Sequence, residues 1–285
     1  LTKLAKKTDE SEKEKPMPDK NHISQTHKIL LCSTEEQSEE SQEILIEYKL
    51  SIYVNGIRYV NLICTHKNLY ELVLGNLFSE GIIQGISDIE SIEIMEDEGK
   101  AFVTLTTKDT FKDMIEATEG IRTITTACGK QHSIAYYLMN DENLTTLDYN
   151  FTISFSKILS YVNEFQKSSD IYKLTRGIHS CGLYDVEGML YLMEDIGRHN
   201  AVDKVLGYAI EHGIDLSKTA LITSGRVPSD MILKIIKAKI PILVARSVPT
   251  DVAIEMANKY NITLAGFARG TKINLYSNEQ RLLFK

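Results

Sequence analysis

The chain has only four cysteines in 285 residues, Cys32, Cys64, Cys128 and Cys181, too irregularly spaced for a disulfide framework or for the paired ligands of a structural zinc site. It also lacks a surplus of basic charge. With 32 Lys and Arg against 39 Asp and Glu the net charge is −7, which argues against sequence-independent binding to long nucleic acid but leaves room for a local basic pocket. No apolar run approaches the ~20 residues needed to cross a bilayer. The N-terminus shows no charged-then-apolar leader pattern, so a cytoplasmic protein without membrane attachment is expected. Apolar side chains are scarce in residues 1–43 apart from Ile29-Leu30-Leu31-Cys32, and this stretch is expected to be a mostly disordered polar extension.

What remains has 43% hydrophobic residues overall, enough for ordinary cores, and a length that suits two domains. Residues 44–126 read as a small α+β domain. Tyr48 to Val54 and Ile57 to Ile63 flank Asn55-Gly56, a hairpin signal because both turn positions need positive φ. Asn68 is placed to cap a helix with the apolar stripe Leu69, Leu72, Val73, Leu77 and Phe78, which Gly81 ends. Ser91 to Met95 and Ala101 to Thr106 form a second strand pair around Gly99. Residues 127–150 are expected to be a mobile cysteine loop and linker.

Residues 151–285 read as an α/β domain. Met189 to Met193, Thr219 to Thr223, Pro241 to Ala245 and Ile262 to Phe267 are strand-sized apolar runs, and helical periodicity separates them. The first helix stops at His212-Gly213, the second runs from Asp230 to about Lys239, and the third starts at the cap residue Thr250 and stops at Asn261. Ser180 to Tyr184 would pair with Met189 to Met193, which makes the sheet mixed. Segments leaving the carboxyl ends of strands converge on one crevice. That rule gathers Glu194 to Asn200, Ser224-Gly225-Arg226, Arg246 to Thr250 and Phe267 to Gly270, a set of arginines, hydroxyls and glycines suited to an anionic, phosphorylated ligand.

Cys128 differs from the other thiols. It lies in Thr125-Thr126-Ala127-Cys128-Gly129-Lys130-Gln131-His132, after an expected strand from Ile121 to Thr125. Gly129 leaves the sulfur accessible, and Lys130 and His132 favour the thiolate that sulfur transfer requires. Local chemistry alone leaves Cys128 either reactive or incidental. Cys64 and Cys181 read as small buried hydrophobes.

Several motifs together resemble one family. Thr126-Ala127-Cys128-Gly129, Gly177-Ile178-His179-Ser180, the eleven residues Glu194 to Lys204, Thr223-Ser224-Gly225-Arg226, Ser247-Val248-Pro249-Thr250 and Gly266-Phe267-Ala268-Arg269-Gly270 look like the FdhD family of formate dehydrogenase accessory sulfurtransferases, over about Ile44 to Tyr276. The resemblance implies an enzyme that accepts sulfur from a cysteine desulfurase as a Cys128 persulfide. It then delivers the sulfur to the molybdenum cofactor, in its bis-guanylyl pterin form (bis-molybdopterin guanine dinucleotide), before insertion into formate dehydrogenase. It also implies a larger C-terminal domain similar to the cytidine deaminase fold and a homodimer. Carried over by position, Phe267, Ala268, Arg269, Gly270, Thr271 and Lys272 match the segment assigned to cofactor binding. Gly270 allows close backbone approach there, and Arg269 and Lys272 supply charge-assisted bonds. GDP is a surrogate for the nucleotide end. One position departs from the pattern: many members have a second loop cysteine where this chain has Gln131, which puts an exchange between two loop thiols in doubt and leaves a single-thiol relay.

His179, His199, Ser224 and Arg226 are further candidates for the pocket, although each can also brace its loop. Asp203 and Lys204 are adjacent on a helix and do not face each other, so separate local bonds are expected. A zinc nucleobase deaminase would need His-x-Glu and Pro-Cys-x-x-Cys, and neither occurs. A carrier that escorts the cofactor without moving sulfur is the remaining alternative.

Overall fold

In the computed structural model the described residues are 23–107, 144–148 and 150–284. Two strands come first, β1 (Ser24–Cys32) and β2 (Gln37–Leu45), joined in a nine-pair antiparallel hairpin. This corrects the expectation of disorder for the described part of residues 1–43. Most of the hairpin's side chains are exposed, so a backbone ladder rather than apolar burial holds it, and the sequence carries no core pattern there.

The small domain is a four-stranded sheet in the order β4-β3-β6-β5, built from β3 (Tyr48–Val54), β4 (Ile57–Cys64), β5 (Ile89–Met95) and β6 (Lys100–Leu105). Asn55 and Gly56 take φ of 48° and 81°, as the two-residue turn demands. Helix α1 (Leu69–Ser79) packs Leu72, Val73 and Leu77 with Leu50, Ile52 and Val54 in one apolar cluster. Asn68 does not cap it as expected: the residue is left-handed, and its amide donates to Glu71 Oε1 at 2.8 Å.

The larger domain opens with β7 (Ile153–Ser154), α2 (Phe155–Ser168) and α3 (Asp170–Thr175). Next come β8 (His179–Tyr184), β9 (Met189–Asp195), α4 (Arg198–Glu211), β10 (Ala220–Thr223), α5 (Ser229–Lys237), β11 (Ile242–Ala245), α6 (Asp251–Lys259), β12 (Thr263–Arg269), β13 (Lys272–Ser277) and β14 (Leu282–Leu283). Strands β10, β11 and β12 are parallel, while β8, β9 and β13 add antiparallel partners in the order β13-β12-β11-β10-β8-β9, a mixed sheet as expected. Thr250 Oγ1 accepts from Ala253 N and caps α6. Two boundaries differ from the sequence reading. Arg198, His199 and Asn200 belong to the first turn of α4 rather than to a loop. The chain also does not finish at Phe267, because β12 runs to Arg269 and turns back through Gly270 into β13, so residues 267–272 form a hairpin tip. In the expected linker, residues 144–148 are pinned: Leu147 N donates to Tyr260 O, and Asn261 Nδ2 donates to Leu147 O.

The two domains meet where α1 crosses α4. A Cβ on Gly75 would sit 1.7 Å from the Asp203 carbonyl oxygen, and one on Gly207 would sit 1.9 Å from that of Glu71, so the helix backbones touch. Around this crossing a buried polar network joins the domains. Lys204 Nζ lies 2.7 Å from Asp195 Oδ2, with both side chains fully buried, and donates to Thr65 Oγ1 at 2.8 Å and Glu194 O at 3.2 Å. Thr65 N and Oγ1 each donate to Asp195 Oδ2 at 3.0 Å. Asp203 instead accepts from Lys234 at 2.7 Å and 2.8 Å, from Ser79 at 2.7 Å and from Asn76 at 3.2 Å. Burial alone would lower Lys234, but Asp203 and Glu80 outweigh it and hold its ammonium above the ordinary range. Asp203 and Lys204 thus have separate partners, as their helical spacing requires.

Candidate functional site

Parallel β10, β11 and β12 end at one sheet edge, where the N-terminus of antiparallel β8 also lies. Backbone bonds stitch the loops leaving that edge: Ser224 N to Ser180 O at 3.0 Å, Arg246 N to Thr223 O at 2.9 Å and Phe267 N to Ser247 O at 2.8 Å. Gly266 belongs to the same seam, since a Cβ there would come within 2.9 Å of the Ser247 carbonyl. The loops enclose a cavity of about 370 Å³ lined by Tyr172, Arg176, Gly177, Ile178, His179, Ser224, Arg246, Ser247 and Arg269. No carboxylate is among these lining residues, and three of them are arginines.

His179 sits at the centre of this edge. Its Nδ1 is 3.2 Å from Ser224 Oγ, and the same Oγ accepts from Ser180 N at 3.0 Å. Burial lowers the His179 pKa, the positive charges of Arg198 and His199 lower it further, and Asp195 opposes them. The imidazole therefore holds a proton less readily than a free one. Arg246 Nε is buried with no hydrogen-bond partner among the described residues, an oriented donor set in the cavity wall. The Arg269 guanidinium lies over the Phe267 ring, 4.6 Å from its centroid, which holds the cation at the hairpin tip.

The structure brings some candidates together and separates others. Arg269, His179 and Ser224 line the cavity, while Arg226 is exposed outside that lining. Ala268 points into the core, and Phe267, Gly270, Thr271 and Lys272 lie at the exposed tip beside Arg269. His199 is buried against Asp230, Nε2 to Oδ2 at 3.2 Å, and supports the wall from behind. Burial would raise the Asp230 pKa, but the His199 contact and the charges of His199 and Arg198 outweigh it and lower the carboxyl. Cys128, with Thr126 to His132 and the expected Ile121 to Thr125 strand, lies outside the described residues. Cys64 and Cys181 are buried; burial with nearby Asp195 pushes the Cys64 thiol up to about 12, and burial with Asp203 carries Cys181 well above its usual value, so both are unreactive thiols.

Tyr172 and Arg176 were not read from the sequence as site residues. The available signal was Arg176-Gly177 directly before the His179 motif: Arg176 takes φ of 58° at the end of α3, and that turn aims its side chain across Tyr172, 5.5 Å from the ring centroid. Asp195 organises the start of α4. Its Oδ1 accepts from Gly197 N at 2.8 Å and from Asn200 Nδ2 at 2.9 Å, which sets the start of α4 so that Arg198 packs on Gly225.

This geometry accompanies clear similarity to known proteins. The FdhD/NarQ family model matches residues 45–283. The sulfur carrier protein FdhD of Listeria innocua is 36% identical over 246 residues, 86% of this chain and 93% of that protein. The Bacillus pumilus protein of the same name is 36% identical over 243 residues, 85% of this chain and 91% of its own. A solved structure from Desulfotalea psychrophila, described as a formate dehydrogenase accessory protein, superposes with a TM-score of 0.74 at 26% identity, covering 92% of this chain and all of that one.

Proposed function

The chain belongs to the FdhD/NarQ family, and from that premise we propose that it is a sulfur carrier for formate dehydrogenase maturation whose Cys128 relays sulfur from a cysteine desulfurase to the molybdenum cofactor. The Cys128 thiolate attacks the outer sulfur of the donor's persulfide, the donor's S–S bond breaks, and the donor cysteine leaves as thiolate. Cys128 then holds the outer sulfur for delivery. The observation that carries the binding half of this reading is the cavity in which Arg176, Arg246, Arg269 and His179 meet with no carboxylate among its described lining residues. Those donors suit the diphosphate of a guanylyl pterin, and a volume of about 370 Å³ suits one nucleotide-sized end of the cofactor rather than the whole of it. None of the described helices is long and apolar enough to cross a membrane. A cytoplasmic homodimer, with the larger domain in a cytidine-deaminase-like arrangement, completes the reading and rests on the family resemblance.

Mass spectrometry after incubation with a cysteine desulfurase and cysteine is expected to show about 32 Da added at Cys128. An unmodified Cys128 with the label elsewhere would remove the relay. Gln131 in place of a second loop cysteine favours one rival, a cofactor carrier that moves no sulfur. Retained formate dehydrogenase maturation with Cys128→Ala would select that rival.

The pH dependence of GDP binding tests the cavity. Protonating His179 adds a positive charge among three arginines, so its contribution to anion affinity should grow as pH falls, with a midpoint below the ordinary 6.5. Subtracting the profile of His179→Gln removes the titration of the phosphate itself. Identical wild-type and variant profiles would take His179 out of the site.

A further inference from the structure

Helix α3 stands between two concavities. Tyr172 and Arg176 line the arginine cavity on one side, and Ile171 and Leu174 line a second groove of about 610 Å³ on the other. The far wall of that groove is the base of the N-terminal hairpin, Ile23 to Thr26 with Glu43. Leu45, at the end of the hairpin, reaches within 3.2 Å of the Cβ position of Gly177, so the hairpin and the cavity share a wall. The hairpin lies ahead of residue 45, where the family match begins.

The groove's chemistry has two parts. Its floor is apolar and open, with Leu174 57% exposed. Its wall is acidic and already organised, since Glu43 accepts from Ser24 Oγ at 2.7 Å and from Thr26 Oγ1. The ribbon carries Glu35 and Glu36 at its turn, Glu39 on the same face as Glu43, Leu30 and the ribbon's one lysine, Lys28, and Glu40 on the opposite face with Leu31; Leu30 and Leu31 are 57% and 50% exposed. A two-stranded ribbon bare on both faces gains little stability from its own burial. Among the described residues, nothing covers Leu30, Leu31 or the carboxylates of Glu35, Glu36, Glu39 and Glu40, which are exposed.

We propose that this groove docks an extended, apolar, Lys- or Arg-bearing segment of the formate dehydrogenase polypeptide that receives the cofactor from the neighbouring cavity. The partner's identity rests on the sulfur-carrier reading above; the surface chemistry does not. The segment's apolar side chains cover Ile171 and Leu174, its cations meet Glu43 and the ribbon's other glutamates, and its backbone extends the ribbon. Docking there sets the client one helix diameter, roughly 10 Å, from the arginine cavity.

The test titrates cofactor-free formate dehydrogenase polypeptide into the full chain by calorimetry, with GDP binding measured in parallel. Leu174→Glu is expected to weaken client binding about 10-fold or more. The double variant Glu39→Lys, Glu40→Lys should weaken it as well and flatten its salt dependence, while GDP affinity stays unchanged in both. Equal client affinity in all three proteins, or no client binding by wild type, overturns the proposal. So does a Leu174→Glu variant whose only change is a smaller assembly by light scattering, because a second copy would then occupy the groove. Variant-sensitive client binding without any GDP binding supports the docking surface and sinks only the cavity reading.

Discussion

A Lys204→Met variant is expected to lose about 3–5 kcal/mol of folding stability, because it strips the counter-charge from a carboxylate that has no access to water. Asp195 is fully buried, and Lys204 is the ammonium that pairs with it. Thr65, Gly197 and Asn200 would still donate to Asp195, but neutral donors do not replace a buried cation. A chain of this size would melt roughly 10 °C lower. Adding Asp195→Asn to Lys204→Met should recover part of the loss, since the second change removes the charge that the first one orphans. Asp195 Oδ1 also accepts from Gly197 N and Asn200 Nδ2, so the start of α4 should loosen with the lost ion pair. Denaturant titration of the three proteins decides the point, and a loss under about 1 kcal/mol for Lys204→Met would show that the network does not hold the domains.

Gly207→Ala is the second large effect. One methyl group would enter a space only 1.9 Å from the Glu71 carbonyl oxygen, and α1 and α4 must separate to admit it. Overpacking of this kind costs about 1–3 kcal/mol. Here the obstacle is backbone on both sides, so the upper end is expected, and the Asp203 and Lys204 bonds across the same interface should stretch together. Gly75→Ala meets the Asp203 carbonyl at 1.7 Å and should behave alike. Ala at Gly213, where nothing lies within 4 Å but φ is +63°, provides a contrast, because its cost is backbone strain without domain separation. Limited proteolysis between the domains should accelerate in the first two variants and not in the third.

Much of the larger domain was legible in the chain. Continuous apolar runs and stripes at period 3.6 placed the strands and helices from Met189 to Phe267 to within a few residues, because each element must bury a face of known geometry. The same logic put Arg269 and Ser224 at one edge, since strand order and direction decide where strand ends meet, while His179 entered only as a separate candidate. It misplaced His199, which the first turn of α4 directs at Asp230 instead of the cavity. Strand β13 was missed although Ile273 and Leu275 alternate with Lys272, Asn274 and Tyr276, a readable pattern. The N-terminal hairpin offered no such pattern, because a ladder with solvent on both faces imposes no periodicity on its side chains.

By itself the sequence determined most element types between Tyr48 and Thr106 and between Ser180 and Phe267, the mixed sheet and the arginine-rich edge, all consequences of local periodicity and of chain direction. Only the tertiary structure decided which charges pair across the domain boundary, that Tyr172 and Arg176 close the cavity, and that Gly75 and Gly207 bring two helices into backbone contact. Those outcomes depend on distances between residues far apart in the chain, and no local pattern encodes such distances.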